Sequence, residues 1–457
     1  MARRNNQRGN NLRTDIRSGL GDGLCAALLF LLVAVWAGVA LAQHPSVHSS
    51  GEWTYIDYAE KISRGHIPVQ GEKLGEVAQE SWACNFSGVT EGVVVPPDCE
   101  NWRTTPIEEW PYRGENYNAF HPPLYFWVVG TLSRAIEPLT GSFLLGARLG
   151  SALLTGLGIA ALFAAIRMWN VSRPAAFAGS LLVLTAPVIA GPAVLVHNDA
   201  VGVLAGAAAV WMGARIFQKG NYSPWLPALA TAAICCARVM AVSGIVVLMA
   251  WLALCLLWPA VGGLEKNSRL PVLRYLVVQA VVIIVTYVGW SAFQNRRVPE
   301  GYVPAISGVS TAPLDGISLG TWLHTLTQPY GLSNPQGAWH MSLELYGPST
   351  KIWGTCIFVL FLAAPFLALL LRIRDVRDRN LAVQAATGPL VVALLVQVRE
   401  AINNGAYFTF VFRRYGIANV PVIGASLAAA CDRPRWRAAL QIVAWVGFAA
   451  MLAGALS

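Results

Sequence analysis

From residue 22 onward the chain is a succession of long apolar runs separated by short polar ones. The run "LCAALLFLLVAVWAGVAL", residues 24 to 41, contains no charged residue at all. A helix needs about 20 apolar residues to cross the hydrocarbon core of a bilayer, and it satisfies its own backbone polar groups while doing so. Runs of that size are expected to form spans near 22–42, 142–168, 174–195, 200–217, 224–240, 243–260, 271–292, 352–373, 381–398, 415–431 and 436–456, about eleven crossings in all. The alternating pattern of a membrane β-barrel is missing, so the expected fold is an all-α polytopic membrane protein. The first run is followed by "ALAQ", which has the form of a signal-peptide cleavage site, but the run is longer than a usual signal core and is read as a retained span.

Two polar stretches, 43–121 and 293–351, are too long to be turns between spans and are expected to be large loops on one face. Between the first loop and the second span lies "PPLYFWVVGTLSRAI", residues 122 to 136, which is short, aromatic and amphipathic. Proline cannot sit inside a helix without losing a hydrogen bond, but it suits a first turn, where that N–H would be unpaired anyway. A helix over 122–138 is therefore expected to lie along the membrane interface. A short crossing is the alternative, and it would invert every later loop.

Charge decides between these topologies. The chain is 55% hydrophobic and only 12% charged, with a formal net charge of +9. Its basic residues are gathered in short clusters: Arg3, Arg4, Arg8, Arg13 and Arg17 in the tail, then Arg167/Arg173, Arg215/Lys219, Lys266/Arg269/Arg274, Arg372/Arg374/Arg377/Arg379 and Arg433/Arg435/Arg437. With an interfacial 122–138 and a cytoplasmic tail 1–21, all of these clusters fall on the cytoplasmic side, as the positive-inside rule requires. The clusters thus read as topology signals and not as a nucleic-acid surface. The large loops and the C-terminus then face outward across the cytoplasmic membrane.

Most of the eight cysteines lie inside spans, where a thiol acts as a small apolar residue. Cys84 and Cys99 share the first outer loop, where they can form a disulfide or remain two free thiols. Asn85 to Ser87 match a glycosylation acceptor, a pattern too short to build on.

Polar residues capable of chemistry gather toward the outer face. Glu52 and Asp57, in "SSGEWTYIDYAEKISRG", follow the first span closely, and either carboxylate suits the role of a general base or of a solvated loop acid. His121 stands before the proline pair, placed to orient a hydroxyl, bind phosphate or cap the helix. His197, Asn198 and Asp199 form a polar trio between two apolar runs, with Asp199 also suited to cap the following helix. Arg238 is embedded in "ICCARVMAV", and an ionisable residue in such a setting has a partner, either a lipid phosphate or Asp199. Arg413 and Arg414, in "FVFRRYGIANVP", stand at another outer helix entrance, where one of them can simply anchor the span. No phosphate loop, dinucleotide fingerprint, zinc spacing or haem pair is present, so an activated donor, if there is one, comes from the membrane.

Taken together, a first span, an outer loop opening on acidic residues, an interfacial helix introduced by His-Pro-Pro-Leu-Tyr and a late Arg-Tyr resemble the GT-C superfamily of integral membrane glycosyltransferases. The branch most similar is that of aminoarabinose transferases and protein O-mannosyltransferases, together with uncharacterised bacterial relatives. The resemblance covers residues 22 to about 260, a GT-C-like module holding the loop 43–121 and the helix 122–138. Residues 261–457 would form a variable second membrane module. It implies transfer of a sugar from a polyprenyl-phosphate donor to a glycan, lipid or protein acceptor, with inversion, outside the cytoplasmic membrane. In the family an acidic pair after the first span serves the acceptor. Here its second member matches Glu52 and its first is Gly51, which leaves the base open between Glu52 and Asp57. His121 and Tyr125 match the motif that opens the interfacial helix. No metal site is expected from any motif; a requirement for a divalent cation stays open, since several acidic residues of the outer loops could hold one. Two other classes fit the same hydropathy: a flippase or transporter, which would show inverted repeats around a midplane cavity, and a non-catalytic assembly subunit, the reading Gly51 favours.

Overall fold

The computed structural model describes residues 2–47, 51–86, 94–305, 311–332 and 347–457. Almost everything in it is helical. In chain order the helices are α1 (Ala2–Gln43), α2 (Glu52–Ser63), α3 (Glu76–Asn85), α4 (Leu124–Thr140), α5 (Phe143–Met168), α6 (Arg173–Leu184), α7 (Pro187–Ala190), α8 (Val201–Phe217), α9 (Trp225–Ala237), α10 (Ser243–Leu257), α11 (Pro259–Gly262), α12 (Arg269–Asn295), α13 (Leu319–Thr327), α14 (Pro348–Arg372), α15 (Val376–Asn404), α16 (Val420–Ala430) and α17 (Pro434–Ala455). A two-stranded antiparallel ribbon, β1 (Thr311–Pro313) with β2 (Ala406–Phe408), ties the second outer loop to the end of α15, with Thr311 opposite Phe408.

Among the described residues eight helices are long and apolar enough to cross a membrane, and a ninth span arises if α6 and α7 are counted together. The protein is an all-α polytopic membrane protein. The 13 residues of α9 and the 11 of α16 are shorter than a crossing of about 20. The expected continuous span 174–195 is instead bent by 71° between α6 and α7. Pro187 supplies no N–H to α6, and the residue before a proline avoids helical backbone, so the helix ends at Leu184 and restarts at Pro187. Irregular backbone inside an apolar run survives only under a protein cover, and every residue from Ala175 to Ala200 is buried. The bend delivers the polar trio 197–199 to the end of the bundle where α2 begins, with the Val196 amide on Glu52.

The short helix after the proline pair is α4. It begins beside Pro123 and stops at Gly141, whose left-handed backbone (φ 69°) lets its N–H bond to the Glu137 carbonyl at 2.8 Å. α4 lies across α2 at very close range, because Gly130 faces the Ala59 carbonyl and a Cβ there would overlap it. Tyr58 stacks on Phe126 with ring centroids 4.1 Å apart.

The first outer loop has an aromatic core of its own. Trp53 stacks on Trp82 at 3.8 Å, Trp82 meets Trp110, and Tyr55, Tyr58, Tyr125 and Phe126 continue the cluster into α4. Cys84 and Cys99 are disulfide-bonded across this loop. The last residue of the glycosylation tripeptide, Ser87, lies outside the described residues. From the other side the end of α12 clasps the loop: the Trp290 indole donates to the Phe120 carbonyl at 2.8 Å and the Gln294 amide to Ala119 at 3.1 Å.

Candidate active site

Everything at the site hangs on how α2 begins. Gly51 has φ 91°, and its carbonyl accepts from the Thr54 hydroxyl at 2.7 Å and the Thr54 amide at 3.0 Å. A Cβ at position 51 would overlap the Tyr117 hydroxyl. The space that a side chain at 51 would need is therefore filled by the Tyr117 ring.

Glu52 points the other way. Its carboxylate receives a two-pronged ion pair from Arg148, Nε to Oε1 at 2.9 Å and Nη2 to Oε2 at 2.7 Å, and the Val196 amide donates to Oε1 at 2.8 Å. Arg148 also donates to the carbonyls of Pro45 at 2.9 Å and Ser46 at 2.6 Å. With Glu52 at 1% and Arg148 at 2% exposure, the pair is sealed from solvent. It joins α2, α5, the chain leaving α1 and the strand-like approach to His197 at a single point. Such geometry positions other groups and presents no carboxylate oxygen to a substrate.

Asp57 is equally occupied. Its oxygens accept from the Gly75 amide at 2.7 Å and the Asn116 side chain at 2.7 Å, and Lys61 lies 3.0 Å away. Lys61 in turn reaches Glu72 at 2.9 Å. Burial pushes the Asp57 carboxyl above its ordinary range, against the opposing pull of Lys61 and the two donors. Asp57 thus fastens α2 to the loop residues around Gly75 and Asn116, and the two acids selected from sequence do not meet.

The polar trio, by contrast, gathers most of the remaining candidates. Residues 198–200 form a 3-10 turn that leads into α8, with Asn198 and Asp199 fully buried. Arg238 stands where α9 gives way to extended backbone and pairs with Asp199 at 2.6 Å while also bonding Asn198. Arg414 reaches over from the 3-10 segment Arg413–Asn419, with Nη1 2.8 Å from His197 Nε2 and 3.9 Å from Asp199. A guanidinium can only donate, so His197 Nε2 accepts from Arg414, while Nδ1 accepts from the Asp199 amide at 3.1 Å and lies 3.1 Å from the Asp199 carboxylate. Two arginines thus share one carboxylate, and the cluster they form with it is net positive.

His121 stands close to this cluster, with Tyr55 as the link. It is half-buried, its carbonyl accepts from the Tyr58 hydroxyl at 2.8 Å, and its ring lies 5.8 Å from Tyr55, which on its other side meets His197 at 4.5 Å. Burial, then the nearby charges of Arg238, Arg414 and Arg399, hold the imidazole well below its ordinary value, so it is neutral at pH 7. Tyr125 contributes structurally: its hydroxyl lies 2.7 Å from Ser151 and locks α4 to α5. Arg413 does not join the pocket and packs against Gly331.

Several residues of the site escaped the sequence reading. Arg148 carries the same signal that marked Arg238, a lone cation in an apolar run ("GARLGSALL"), and was open to the same inference. Tyr55, Tyr117 and Arg399 had no such signal, since nothing local distinguishes them from packing aromatics or an interfacial anchor. Among the described residues no group of three or more His, Cys, Asp or Glu converges as a metal site would.

Residues 120–290 match the model of the dolichyl-phosphate-mannose-protein mannosyltransferase family. No curated protein matches the chain. Among solved structures, it is similar to ArnT from Cupriavidus metallidurans bound to undecaprenyl phosphate, at 15% identity and a TM-score of 0.47 over 91% of this chain. The apo form of the same protein aligns at 16% identity and a TM-score of 0.45 over 89%. The chain spans 62% and 60% of the length of those two structures. The family match takes in His121, α4, the trio 197–199 and Arg238, and it bears out the GT-C superfamily resemblance that His-Pro-Pro-Leu-Tyr carries.

Proposed function

We propose that the protein is a membrane glycosyltransferase that draws a sugar from a polyprenyl-phosphate donor and passes it to an acceptor hydroxyl on the extracytoplasmic face of the cytoplasmic membrane. The observation that carries this reading is the charge cluster: Arg238 and Arg414 converge on the single carboxylate of Asp199, with His197 between them. A pair of guanidiniums with one counter-ion matches a phosphate, which each can grip through parallel N–H groups. The family that matches 120–290 is described by a donor of this class, a dolichyl-phosphate sugar.

During transfer, negative charge accumulates on the departing phosphate. Fixed guanidiniums in a desolvated pocket stabilise that charge without having to reorganise. Asp199 orients both arginines through its carboxylate, and its backbone amide holds the His197 ring through Nδ1, with Nε2 turned to Arg414.

The protein purified in detergent should bind undecaprenyl phosphate, read by native mass spectrometry, and should turn over at least one member of a panel of labelled undecaprenyl-phosphate pentoses and hexoses. Arg414→Gln should weaken undecaprenyl phosphate binding by roughly tenfold or more, since a desolvated charge pair is worth on the order of 2–5 kcal/mol. Unchanged binding in that variant would remove the pocket from consideration. A second reading, a donor-binding subunit without catalysis, is favoured by Gly51 and by the occupied carboxylates of Glu52 and Asp57. It predicts binding with no turnover across the whole panel.

A further inference from the structure

If the reading above holds, the acceptor hydroxyl must lose a proton, and the carboxylates near the start of α2 are not available to take it. Position 51 has no side chain and no room for one beside Tyr117. Glu52 is enclosed by Arg148 and the Val196 amide, and Asp57 by Lys61, Asn116 and the Gly75 amide. Asp199 neutralises two arginines at the base of the pocket. His197 has Nε2 engaged by Arg414 and Nδ1 facing Asp199. His121 differs from all of these: among the described residues neither ring nitrogen makes a hydrogen bond or ion pair, and the residue as a whole keeps partial contact with solvent.

We propose that His121 is the general base of the transfer, accepting the acceptor's hydroxyl proton on a ring nitrogen beside the Arg238–Arg414 cluster, to which Tyr55 and His197 connect it. Its position is well defined. The Tyr58 hydroxyl holds its carbonyl, Trp290 of α12 holds the preceding carbonyl at Phe120, and the ring is flanked by Phe120 at 4.2 Å and Tyr55 at 5.8 Å. The titratable and charged groups around it are Tyr55 and Tyr58 from α2, Arg238 after α9, Arg414 from the segment 413–419 and Arg399 from α15. Among the described residues the charged groups acting on it are the three cations, which favour the neutral ring, the form that has a lone pair to give.

In the step, the acceptor O–H bond breaks and its proton goes to the imidazole. The acceptor oxygen bonds to the anomeric carbon, whose bond to the donor phosphate breaks with the electron pair staying on the phosphate oxygen. Arg238 and Arg414 face the resulting dianion. The imidazolium, destabilised by the same arginines, then releases its proton to water, and the base is regenerated.

The test uses the full chain in detergent and the labelled undecaprenyl-phosphate sugar that the wild type turns over. His121→Ala should lower turnover by about 10²–10⁴-fold while undecaprenyl phosphate binding stays within about threefold of wild type. Added imidazole should restore part of the lost rate in His121→Ala and none in Arg414→Gln. Wild-type turnover should be flat above neutral pH and fall on acidification, with an apparent pKa below the usual histidine value of about 6.5. Full turnover in His121→Ala, or loss of binding together with turnover and no rescue by imidazole, would overturn the assignment while leaving the transferase reading in place. A wild type that binds undecaprenyl phosphate but transfers nothing overturns both, and one that binds none overturns the pocket as a phosphate site.

Discussion

Gly51 and Glu52 are adjacent, yet the backbone sends them to opposite fates. Glu52 is drawn into a fully buried ion pair, where removing one partner strands the other charge. Glu52→Gln should therefore cost about 3–5 kcal/mol, seen as a clear fall in the thermal unfolding temperature in detergent, and Arg148→Lys should recover little because an ammonium cannot supply two parallel N–H groups. Wild-type stability in Glu52→Gln would show that the pair is not the anchor its geometry implies. Asp57→Asn should be milder, about 1–3 kcal/mol from mispaired buried donors, with turnover retained once folding is allowed for. Restoring an acid at the preceding position should fail outright: Gly51→Asp meets both a φ of 91° and the Tyr117 hydroxyl, so unfolding or aggregation is the expected result in a size-exclusion assay. These residues also show what a sequence can disclose. That Glu52 and Asp57 would sit near the outer face followed from their distance to the first span. That both would be consumed by partners did not, because Arg148, Val196 and Asn116 are remote in sequence and only folding brings them in.

At the scale of elements, the helix after His-Pro-Pro was legible because its ends are written in residues that act locally: the proline pair fixes the start and Gly141 the stop. The break between α6 and α7 was not legible in the same way. Hydropathy is uniform through 174–195, and a proline in an apolar run is compatible with either a kinked span or a broken one until the surrounding protein is known to cover the exposed backbone. The approach of α4 to α2 belongs to this scale as well. Gly130→Ala places a methyl against the Ala59 carbonyl, and overpacking of this kind costs about 1–3 kcal/mol. Because α4 carries Tyr125 and follows directly on His121, the same change should depress turnover more than it depresses undecaprenyl phosphate binding, whose arginines come from other elements. Equal losses in the two measurements would mean that α4 shapes the phosphate pocket directly.

For the whole molecule the decisive question is which ends of the helices share a face. Asp22, near the start of the first span, pairs with Arg167 at 3.2 Å and Arg173 at 2.7 Å, while Asp432, before α17, accepts from the Ser172 amide at 2.9 Å. The start of the first span, the α5–α6 turn and the start of α17 therefore lie together. At the other face, the His44 ring meets the Ala455 carbonyl at 3.2 Å, so the end of α17 lies beside the end of α1. An odd number of crossings separates the basic tail from residue 457, whatever is decided for the short helices α9 and α16 and the bent pair α6–α7. Two independent features support our proposal that the first face is cytoplasmic and the second extracytoplasmic: arginine clusters crowd the first face, as they do cytoplasmic loops, while the Cys84–Cys99 disulfide lies in the loop on the second, where an oxidising compartment would preserve it. A fluorescent-protein fusion after Ser457 should thus be dark and an alkaline-phosphatase fusion at the same point active, with the reverse for fusions in the Arg372–Arg379 turn. Matching signals from the two positions would place them on one side, break the parity set by His44 and Asp22, and put the Arg238–Arg414 pocket on the wrong face for an extracytoplasmic acceptor.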